Sequence, residues 1–316
     1  MKVVFLDRNS FASSIRFASE RLPGCGWQDY PQTLPAEVLA RIADADVIVT
    51  NKVRIGAEVQ AAAKNLKLIA AAATGVDNID VESARARGIA VCNVRGYAVN
   101  SVPEHVMGLL FALRRNLLAY HQAARDGTWS RSEFFCLHTY PIEDLAGSTL
   151  GVIGGGTLGQ SVTRLAQSLG MRVLLSEQRG AVPRSGRVAF EEVLRSSDAI
   201  TLHLPLTPQT RGLIGRAEFA LMKPSAVLIN TARGGVVDEA ALLDALRSGQ
   251  IAGAAMDVLS VEPPPSDHPL LAANLPNLII TPHVAWASRQ AQQRLADEVI
   301  ENISAFLRGE PRNRVA

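Results

Sequence analysis

Short apolar runs alternate with longer segments of helical periodicity along the chain. Before residue 98, the pattern predicts strands at residues 3–6, 46–50, 66–73 and 89–94, with helices at 57–63 and 81–87. Near-continuous apolar runs linked through helices are typical of parallel strands that are buried on both faces. The chain is therefore expected to begin with a small α/β unit.

A second, larger alternation follows from Thr149 onward. One long helix is predicted over residues 102–125, and the aromatic stretch 126–148 is expected to be an extended surface or interface segment. Further strands are predicted at 149–154, 172–177, 199–204, 226–231, 251–258 and 278–281, and further helices at 157–169, 190–196, 216–222, 239–247 and 289–308. This pattern indicates a doubly wound α/β domain.

Composition narrows the class of protein without naming it. The 316 residues suit two domains, and 47% hydrophobic with 20% charged residues excludes a disordered chain. A formal charge of +2 gives no reason to expect nucleic acid. Three scattered cysteines indicate neither a disulfide framework nor a metal site, and no apolar run is long enough for a signal peptide or a membrane span. We expect a soluble, cytoplasmic protein without a metal ion.

The strongest local motif is a glycine loop that follows a predicted strand and opens a predicted helix. Gly154, Gly156 and Gly159 fit G-x-G-x-x-G, and Glu177 ends the next strand. In a dinucleotide site these glycines serve the tight turn, the approach of backbone to pyrophosphate and close helix packing. Glu177 would accept the adenine ribose hydroxyls and repel a 2′-phosphate, which favours NAD over NADP, although Arg179 nearby could accommodate that phosphate. An ordinary glycine-rich turn and a solvated glutamate remain the alternative.

The position of this motif predicts the domain organisation. A dinucleotide fingerprint usually opens its domain, whereas here a whole α/β unit precedes it. We therefore expect one domain to be inserted into the other, with the last helix returning to the first unit.

Three polar residues follow predicted strands of the second unit, namely Arg233, Glu262 and His283. Ligands of open α/β sheets bind at the carboxyl ends of strands, so these side chains could converge. Taken singly, each could be a surface charge or a hydrogen-bonded histidine beside the core. Together they suit a 2-keto acid, since an arginine binds carboxylate and carbonyl oxygens, a histidine transfers a proton, and a carboxylate orients the histidine.

At these residues the chain resembles the D-isomer-specific 2-hydroxyacid dehydrogenase family. The resemblance covers essentially the whole length and runs through residues 73–80, 149–159, 202–210, 230–235 and 281–283. It implies two Rossmann-like doubly wound parallel-sheet domains, with an NAD-binding domain (101–287) inserted into a discontinuous, flavodoxin-like substrate-binding domain (1–100 and 288–316). It also implies a cleft between them and a homodimer.

The resemblance implies a role for each matching residue. Arg233 binds substrate, His283 is the acid/base that also contacts substrate, Glu262 holds His283, and the N–H groups of Gly75 and Val76 anchor the substrate carboxylate. The cofactor positions are Val102, Gly154, Gly156, Thr157, Leu158, Gly159, Glu177, Pro205, Thr210, Thr231 and Asp257, the last of which would bind the nicotinamide carboxamide.

The resemblance also suggests a substrate. Residues 102–105, 176–178 and 283–288 are most similar to the glycerate dehydrogenase (hydroxypyruvate reductase) branch of the family. We expect NADH-dependent interconversion of a small 2-keto acid and its D-2-hydroxy acid, with hydroxypyruvate/D-glycerate or glyoxylate/glycolate preferred. The alternatives are a dehydrogenase specific for D-lactate or another 2-hydroxy acid, and a corepressor-like NAD-binding module with little turnover.

Overall fold

The contacts of the chain divide it into two compact units. The structure, a computed structural model, describes residues 1–310 and 312–316. Unit 1 comprises Met1–Tyr97 and Ala287–Ala316, and unit 2 comprises Ala98–Trp286. Unit 2 thus lies in sequence between the two segments of unit 1, and each unit has a sheet of its own.

Unit 1 is built on a parallel sheet of five strands in the order β2-β1-β3-β4-β5. The strands are β1 (Lys2–Phe5), β2 (Gly26–Asp29), β3 (Val47–Thr50), β4 (Leu68–Ala71) and β5 (Ala90–Cys92), and the helices are α1 (Val38–Ile42), α2 (Ala57–Ala62), α3 (Val81–Ala86) and a final helix, Arg289–Leu307. This strand order is that of the flavodoxin-like doubly wound fold.

The two segments of unit 1 share one core. Val4, Ile48, Ile69 and Val91 are fully buried in the sheet. The final helix packs on β4, and the N–H of Val315 donates to the carbonyl of Val91 at 2.8 Å. The late segment therefore completes the unit that the first residues begin.

Strand β2 and helix α1 were not anticipated by the hydrophobic pattern. Three of the four β2 residues are exposed and the sequence Gly-Trp-Gln-Asp carries no apolar alternation. This edge strand is held by backbone hydrogen bonds to β1 and by one half-buried side chain, Trp27, so periodicity does not reveal it.

Unit 2 contains a parallel sheet of six strands in the order β11-β10-β9-β8-β6-β7. The strands are β6 (Thr149–Ile153), β7 (Arg172–Leu175), β8 (Ala199–Leu202), β9 (Val227–Asn230), β10 (Gly253–Met256) and β11 (Leu278–Ile280), and the helices are α4 (Ser101–Arg114), α5 (Leu117–Arg125), α6 (Thr157–Ser168), α7 (Phe190–Ser196), α8 (Arg216–Phe219), α9 (Glu239–Arg247) and α10 (Pro269–Ala272). The two neighbours of β6 follow it in sequence on opposite sides, which makes the carboxyl end of β6 a topological switch point. The α/β class and the doubly wound parallel sheets are confirmed.

The prediction of one helix over residues 102–125 was wrong. Helix α4 ends at Arg114, and Asn116 takes a left-handed conformation with φ of 48° before α5 begins. Its side-chain amide donates to the carbonyl of Pro141 at 2.7 Å. Asparagine tolerates this conformation better than most residues, and a single left-handed residue does not disturb the apolar periodicity on either side.

Residues 126–148 are mostly irregular, with one short 3₁₀ turn at Trp129–Arg131. The segment is tied back to α5 by the hydroxyl of Tyr120, which donates to the carbonyl of Tyr140 at 2.7 Å. Its aromatic side chains point outward, and Phe134 and Phe135 are 73% and 89% exposed. The segment therefore presents an apolar surface on unit 2.

Two kinds of feature are absent from the described residues, 1–310 and 312–316. No group of three His, Cys, Asp or Glu side chains among them is placed to hold a metal ion. No helix among them is long and apolar enough to cross a membrane.

Candidate active site

The glycine loop lies at the carboxyl end of β6, at the switch point of the sheet. Gly154 has a φ of 109°, and a Cβ there would lie 2.3 Å from the carbonyl oxygen of His203. A Cβ at Gly159 would lie 1.9 Å from the carbonyl oxygen of Gly154. Only glycine satisfies both positions, since one needs positive φ and both need the absence of a side chain.

The start of α6 leaves room for a ligand. Among the described residues, no atom lies within 4 Å of where a Cβ on Gly156 would be, and no side chain caps the first turn, which includes Thr157 and Leu158. Uncapped N–H groups at a helix N-terminus bind phosphate well, because they are free donors at the positive end of the helix dipole. The residues present therefore fit the pyrophosphate of a dinucleotide.

Glu177 follows β7 and is held by a neighbouring arginine. Its side chain is 3% exposed, and both carboxylate oxygens accept from the guanidinium of Arg184, each at 2.6 Å. This pairing holds the pKa of Glu177 at about 2, with help from the N–H of Gln178. Arg179, which the sequence suggested as a partner for a 2′-phosphate, instead pairs with Glu218 at 2.8 Å.

The loop after β8 is closed by Thr210. Its hydroxyl donates to the carbonyl of Pro205 at 2.7 Å and accepts from the N–H of Thr207 at 2.8 Å. Desolvation lowers the pKa of His203, at the start of this loop, to about 4. His203 is therefore neutral at pH 7 and is a poor proton donor compared with a histidine that can be charged there.

The loop after β9 carries Arg233 and is fixed by a buried asparagine. Asn230 is fully buried; its amide donates to the carbonyl of Arg233 at 2.9 Å and its oxygen accepts from the N–H of Ala232 at 3.0 Å. The guanidinium of Arg233 donates to the carbonyl of Ala232 at 2.8 Å. The hydroxyl of Thr231 is buried and has no hydrogen-bond partner within the described part of the chain.

The Arg233 loop is in direct backbone contact with the loop that follows β10. A Cβ on Gly234 would lie 1.9 Å from the carbonyl carbon of Leu259 and 2.3 Å from the nitrogen of Ser260. The N–H and hydroxyl of Ser260 also donate to the carboxylate of Glu239, at 2.6 and 2.8 Å. The segment that carries Glu262 is thus held from two sides.

Glu262 and His283 form the central hydrogen-bonded pair. Nδ1 of His283 and Oε2 of Glu262 are 2.7 Å apart, with the two side chains 25% and 32% exposed. The other carboxylate oxygen accepts from the N–H of Leu259 at 3.0 Å. With the carboxylate ionised, Nδ1 carries the hydrogen that it donates, so Nε2 is the atom available to exchange a proton with a substrate.

The backbone around His283 is anchored to Asp257, at the end of β10. The N–H of His283 donates to the carbonyl of Asp257 at 2.8 Å, and the N–H groups of Val284 and Ala285 donate to its carboxylate, each at 2.9 Å. The hydroxyl of Thr281 donates to the same carboxylate at 2.6 Å. Asp257 is only 2% exposed, and its carboxylate also lies 3.6 Å from Nε2 of His105 on α4.

The remaining expected site residues are Val102, Gly75 and Val76. Val102 is buried on α4. Gly75 and Val76 belong to unit 1, in the loop after β4, where Thr74 donates to the carbonyl of Val94 at 2.7 Å. The N–H groups of Gly75 and Val76 donate no hydrogen bond among residues 1–310 and 312–316. Their role in substrate binding stays a prediction.

Sequence reasoning missed four residues that shape the site: Asn230, Glu239, Thr281 and Arg184. A polar residue inside the apolar run of β9 was a signal for Asn230. Three arginines in the ten positions after Glu177 were a signal for Arg184. Glu239 carried no signal, because its contact with Ser260 depends on how two loops meet.

Comparison with known proteins finds relatives over nearly the whole chain. The family model described as "D-isomer specific 2-hydroxyacid dehydrogenase, NAD binding domain" matches residues 107–285, all in unit 2. A glycerate dehydrogenase of Methylorubrum extorquens is 50% identical over 99% of this chain and 98% of its own. A hydroxypyruvate reductase of Blautia hydrogenotrophica is 38% identical, with coverages of 88% and 87%.

A solved structure shares the fold at lower identity. The D-lactate dehydrogenase from Aquifex aeolicus, complexed with NAD and lactic acid, superposes with a TM-score of 0.83 at 28% identity, over 98% of this chain and 96% of its own. The family match spans more than half of the chain, and it coincides with the unit that holds the glycine loop and the Arg233, Glu262 and His283 loops. This chain is an oxidoreductase that belongs to the D-isomer-specific 2-hydroxyacid dehydrogenase family.

Proposed function

We propose that this protein uses NADH to reduce a small 2-keto acid to its D-2-hydroxy acid, with hydroxypyruvate and glyoxylate as preferred substrates. The observation that carries the proposal is the 2.7 Å pair of His283 Nδ1 and Glu262 Oε2, at the same sheet edge as the Arg233 loop. The names of the two curated relatives, glycerate dehydrogenase and hydroxypyruvate reductase, support this choice of substrate.

The roles of the side chains follow from their chemistry. Arg233 offers a planar fork that binds the substrate carboxylate and polarises the keto oxygen. When bound, the nicotinamide supplies the hydride that the keto carbon accepts. Nε2 of His283 then gives its proton to the oxygen on which negative charge develops, and Glu262 stabilises the imidazolium before that transfer. In the reverse direction Nε2 takes the hydroxyl proton.

Residues of unit 2 are proposed to hold the cofactor. The first turn of α6, from Gly156 to Leu158, would bind the pyrophosphate, and Glu177 would accept the adenine ribose hydroxyls. The nicotinamide end would lie against Val102, Pro205, Thr210, Thr231 and Asp257. The negative charge of Glu177 favours NAD over NADP, since it repels a 2′-phosphate.

We also propose that the protein acts as a homodimer that pairs through unit 2. The support is the outward-facing aromatic surface of residues 126–148, where Trp129 is 50% exposed beside the more exposed Phe134 and Phe135. Contiguous exposed apolar surface of this kind commonly marks a protein interface.

The direct test is a panel of 2-keto acids assayed by loss of NADH absorbance. Hydroxypyruvate and glyoxylate should give the highest kcat/KM, with pyruvate and longer branched keto acids lower. His283→Ala should lower kcat by about 10²- to 10⁴-fold, the usual contribution of a positioned acid/base. His121→Ala, which removes an exposed histidine of α5, serves as the matched control and should leave kcat unchanged.

Two results would overturn the proposal. If no keto acid oxidises NADH although NADH binds, the protein is a binding module rather than a dehydrogenase. If pyruvate is clearly preferred, the assigned substrate is wrong and a D-lactate dehydrogenase is the better description.

A further inference from the structure

The carboxylate of Glu177 is fully occupied by hydrogen bonds in this structure. Oε1 accepts from the N–H of Gln178 at 2.9 Å and from Nη2 of Arg184 at 2.6 Å. Oε2 accepts from Nε of Arg184 at 2.6 Å and from its backbone N–H at 3.4 Å. A carboxylate offers about four acceptor positions, so this one has no capacity for a ribose diol while Arg184 stays in place.

Arg184 lies between the carboxylate of Glu177 and the solvent. Its side chain is 65% exposed, whereas that of Glu177 is 3% exposed. The segment that carries Arg184 is irregular and contains two glycines at positive φ, Gly180 and Gly186. An exposed arginine on such a segment can swing away from the carboxylate without disturbing the core.

A second arginine remains fixed beside the same carboxylate. Nη1 of Arg187 donates to the carbonyl of Ser176 at 3.0 Å, and Nε lies 3.9 Å from Oε2 of Glu177. The side chain of Arg187 is 23% exposed and also lies over the glycine loop, 2.7 Å from where a Cβ of Gly155 would be. While Arg184 stays in place, two cations therefore face one anion here, and the local charge is positive.

We propose that Arg184 governs the choice of cofactor. Its guanidinium competes with the adenine ribose for the carboxylate of Glu177. Once displaced, the guanidinium pairs with a 2′-phosphate, so that the protein accepts NADP as well as NAD. The inference rests on the proposed binding of the ribose at Glu177. Binding of NAD requires the two-point contact between Arg184 and Glu177 to break. Binding of NADP requires the same step, but the released guanidinium gains a dianionic partner alongside Arg187.

The test is fluorescence titration of NADH and NADPH into the protein without any keto acid. In wild type both dinucleotides should bind, with NADH tighter. Arg184→Ala should bind NADH several-fold more tightly and NADPH about tenfold more weakly, because the competitor and the phosphate partner are lost together. Arg184→Lys keeps the positive charge but lacks the planar guanidinium that makes the two-point contact with Glu177. This variant should therefore bind NADH more tightly than wild type and retain most of the affinity for NADPH.

Arg179→Ala is the matched control, since it removes a positive charge from the same segment but from a side chain paired with Glu218. It should leave the ratio of the two affinities unchanged. The inference is overturned if Arg184→Ala changes both affinities by the same factor or not at all, or if Arg179→Ala has an equal effect. If wild type binds neither dinucleotide, the proposed cofactor site fails and the inference fails with it.

Discussion

His283 has a φ of 55°, in the left-handed region that few residues other than glycine occupy. The conformation is held by hydrogen bonds from the N–H groups of His283, Val284 and Ala285 to Asp257. Such conformations persist only where the surroundings determine them, and they concentrate at functional sites. Main-chain contacts thus set the orientation of the imidazole, and the hydrogen bond to Glu262 determines which ring nitrogen carries the hydrogen.

A prediction at the residue scale concerns how the contribution of Glu177 to the stability of the fold depends on pH. Its pKa is lowered from 4.5 to about 2, chiefly by the hydrogen bond from Arg184. A carboxyl with a lowered pKa stabilises the fold above its unfolded pKa, and that contribution is lost as the pH falls toward the folded value. Glu177→Gln should therefore be less stable than wild type at pH 7, and the difference should shrink from about pH 4.5 downward.

Urea unfolding of both proteins at a series of pH values measures this difference. Glu133→Gln, which removes the same charge from an exposed position, should show a small difference that is flat over that range. If the difference in the free energy of unfolding between wild type and Glu177→Gln stayed constant down to pH 3, the pairing with Arg184 would be contradicted.

At the scale of elements, the candidate site is assembled from three adjacent parallel strands, β9, β10 and β11. Each ends at the same sheet edge and is followed by a loop that carries one of Arg233, Glu262 and His283. Gly234 brings the first two loops into backbone contact, where a Cβ would overlap the carbonyl carbon of Leu259. The arginine loop cannot accept a side chain at this point without moving the glutamate loop.

The element-scale prediction is that Gly234→Ala separates these loops. Overpacking of a tight contact costs about 1–3 kcal/mol of stability. A displacement of about 1 Å in a catalytic group can cost about 10²-fold in rate, so kcat/KM for the keto acid should fall by that order. Thermal unfolding and steady-state kinetics measure the two effects.

Gly26→Ala is the matched control, because a Cβ on that strand residue would meet no atom within 4 Å in the described part of the chain. It should leave kcat/KM unchanged and stability equal or slightly higher. Wild-type kinetics in Gly234→Ala would show that the two loops adjust independently.

Much of the site could be predicted because its residues follow strands, and strand ends converge in a parallel sheet. The placement of Arg233, Glu262 and His283 after adjacent strands was predicted in that way, and their roles stay predictions. Asn230 and Glu239 hold those loops through contacts with backbone groups, and such contacts depend on loop conformation, which hydrophobic periodicity does not encode. The same limit explains the break at Asn116 and the polar edge strand β2.

At the scale of the whole molecule, the outward-facing aromatic segment of unit 2 predicts self-association. Phe134 and Phe135, which are 73% and 89% exposed, should be covered in a homodimer. Burial of each phenylalanine contributes about 1.5–3 kcal/mol, so the double change Phe134→Ser, Phe135→Ser should weaken dimerisation by at least about tenfold. Light scattering over a dilution series measures the dissociation.

Val182→Ser is the comparison, since Val182 is 88% exposed but lies outside that segment. It should dimerise as wild type does. A wild-type protein that stays monomeric at high concentration would rule out the dimer.

The interleaving of the two units also has a consequence for synthesis on the ribosome. The helix Arg289–Leu307 and the contact between Val315 and Val91 are needed to complete unit 1, yet they emerge after all of unit 2. Translation proceeds at about 5–20 residues per second, so the C-terminal segment of unit 1 is made on the order of ten seconds or more after the first 97 residues. During that time β4 lacks the helix that covers it, so we expect its apolar side chains to stay exposed on the nascent chain.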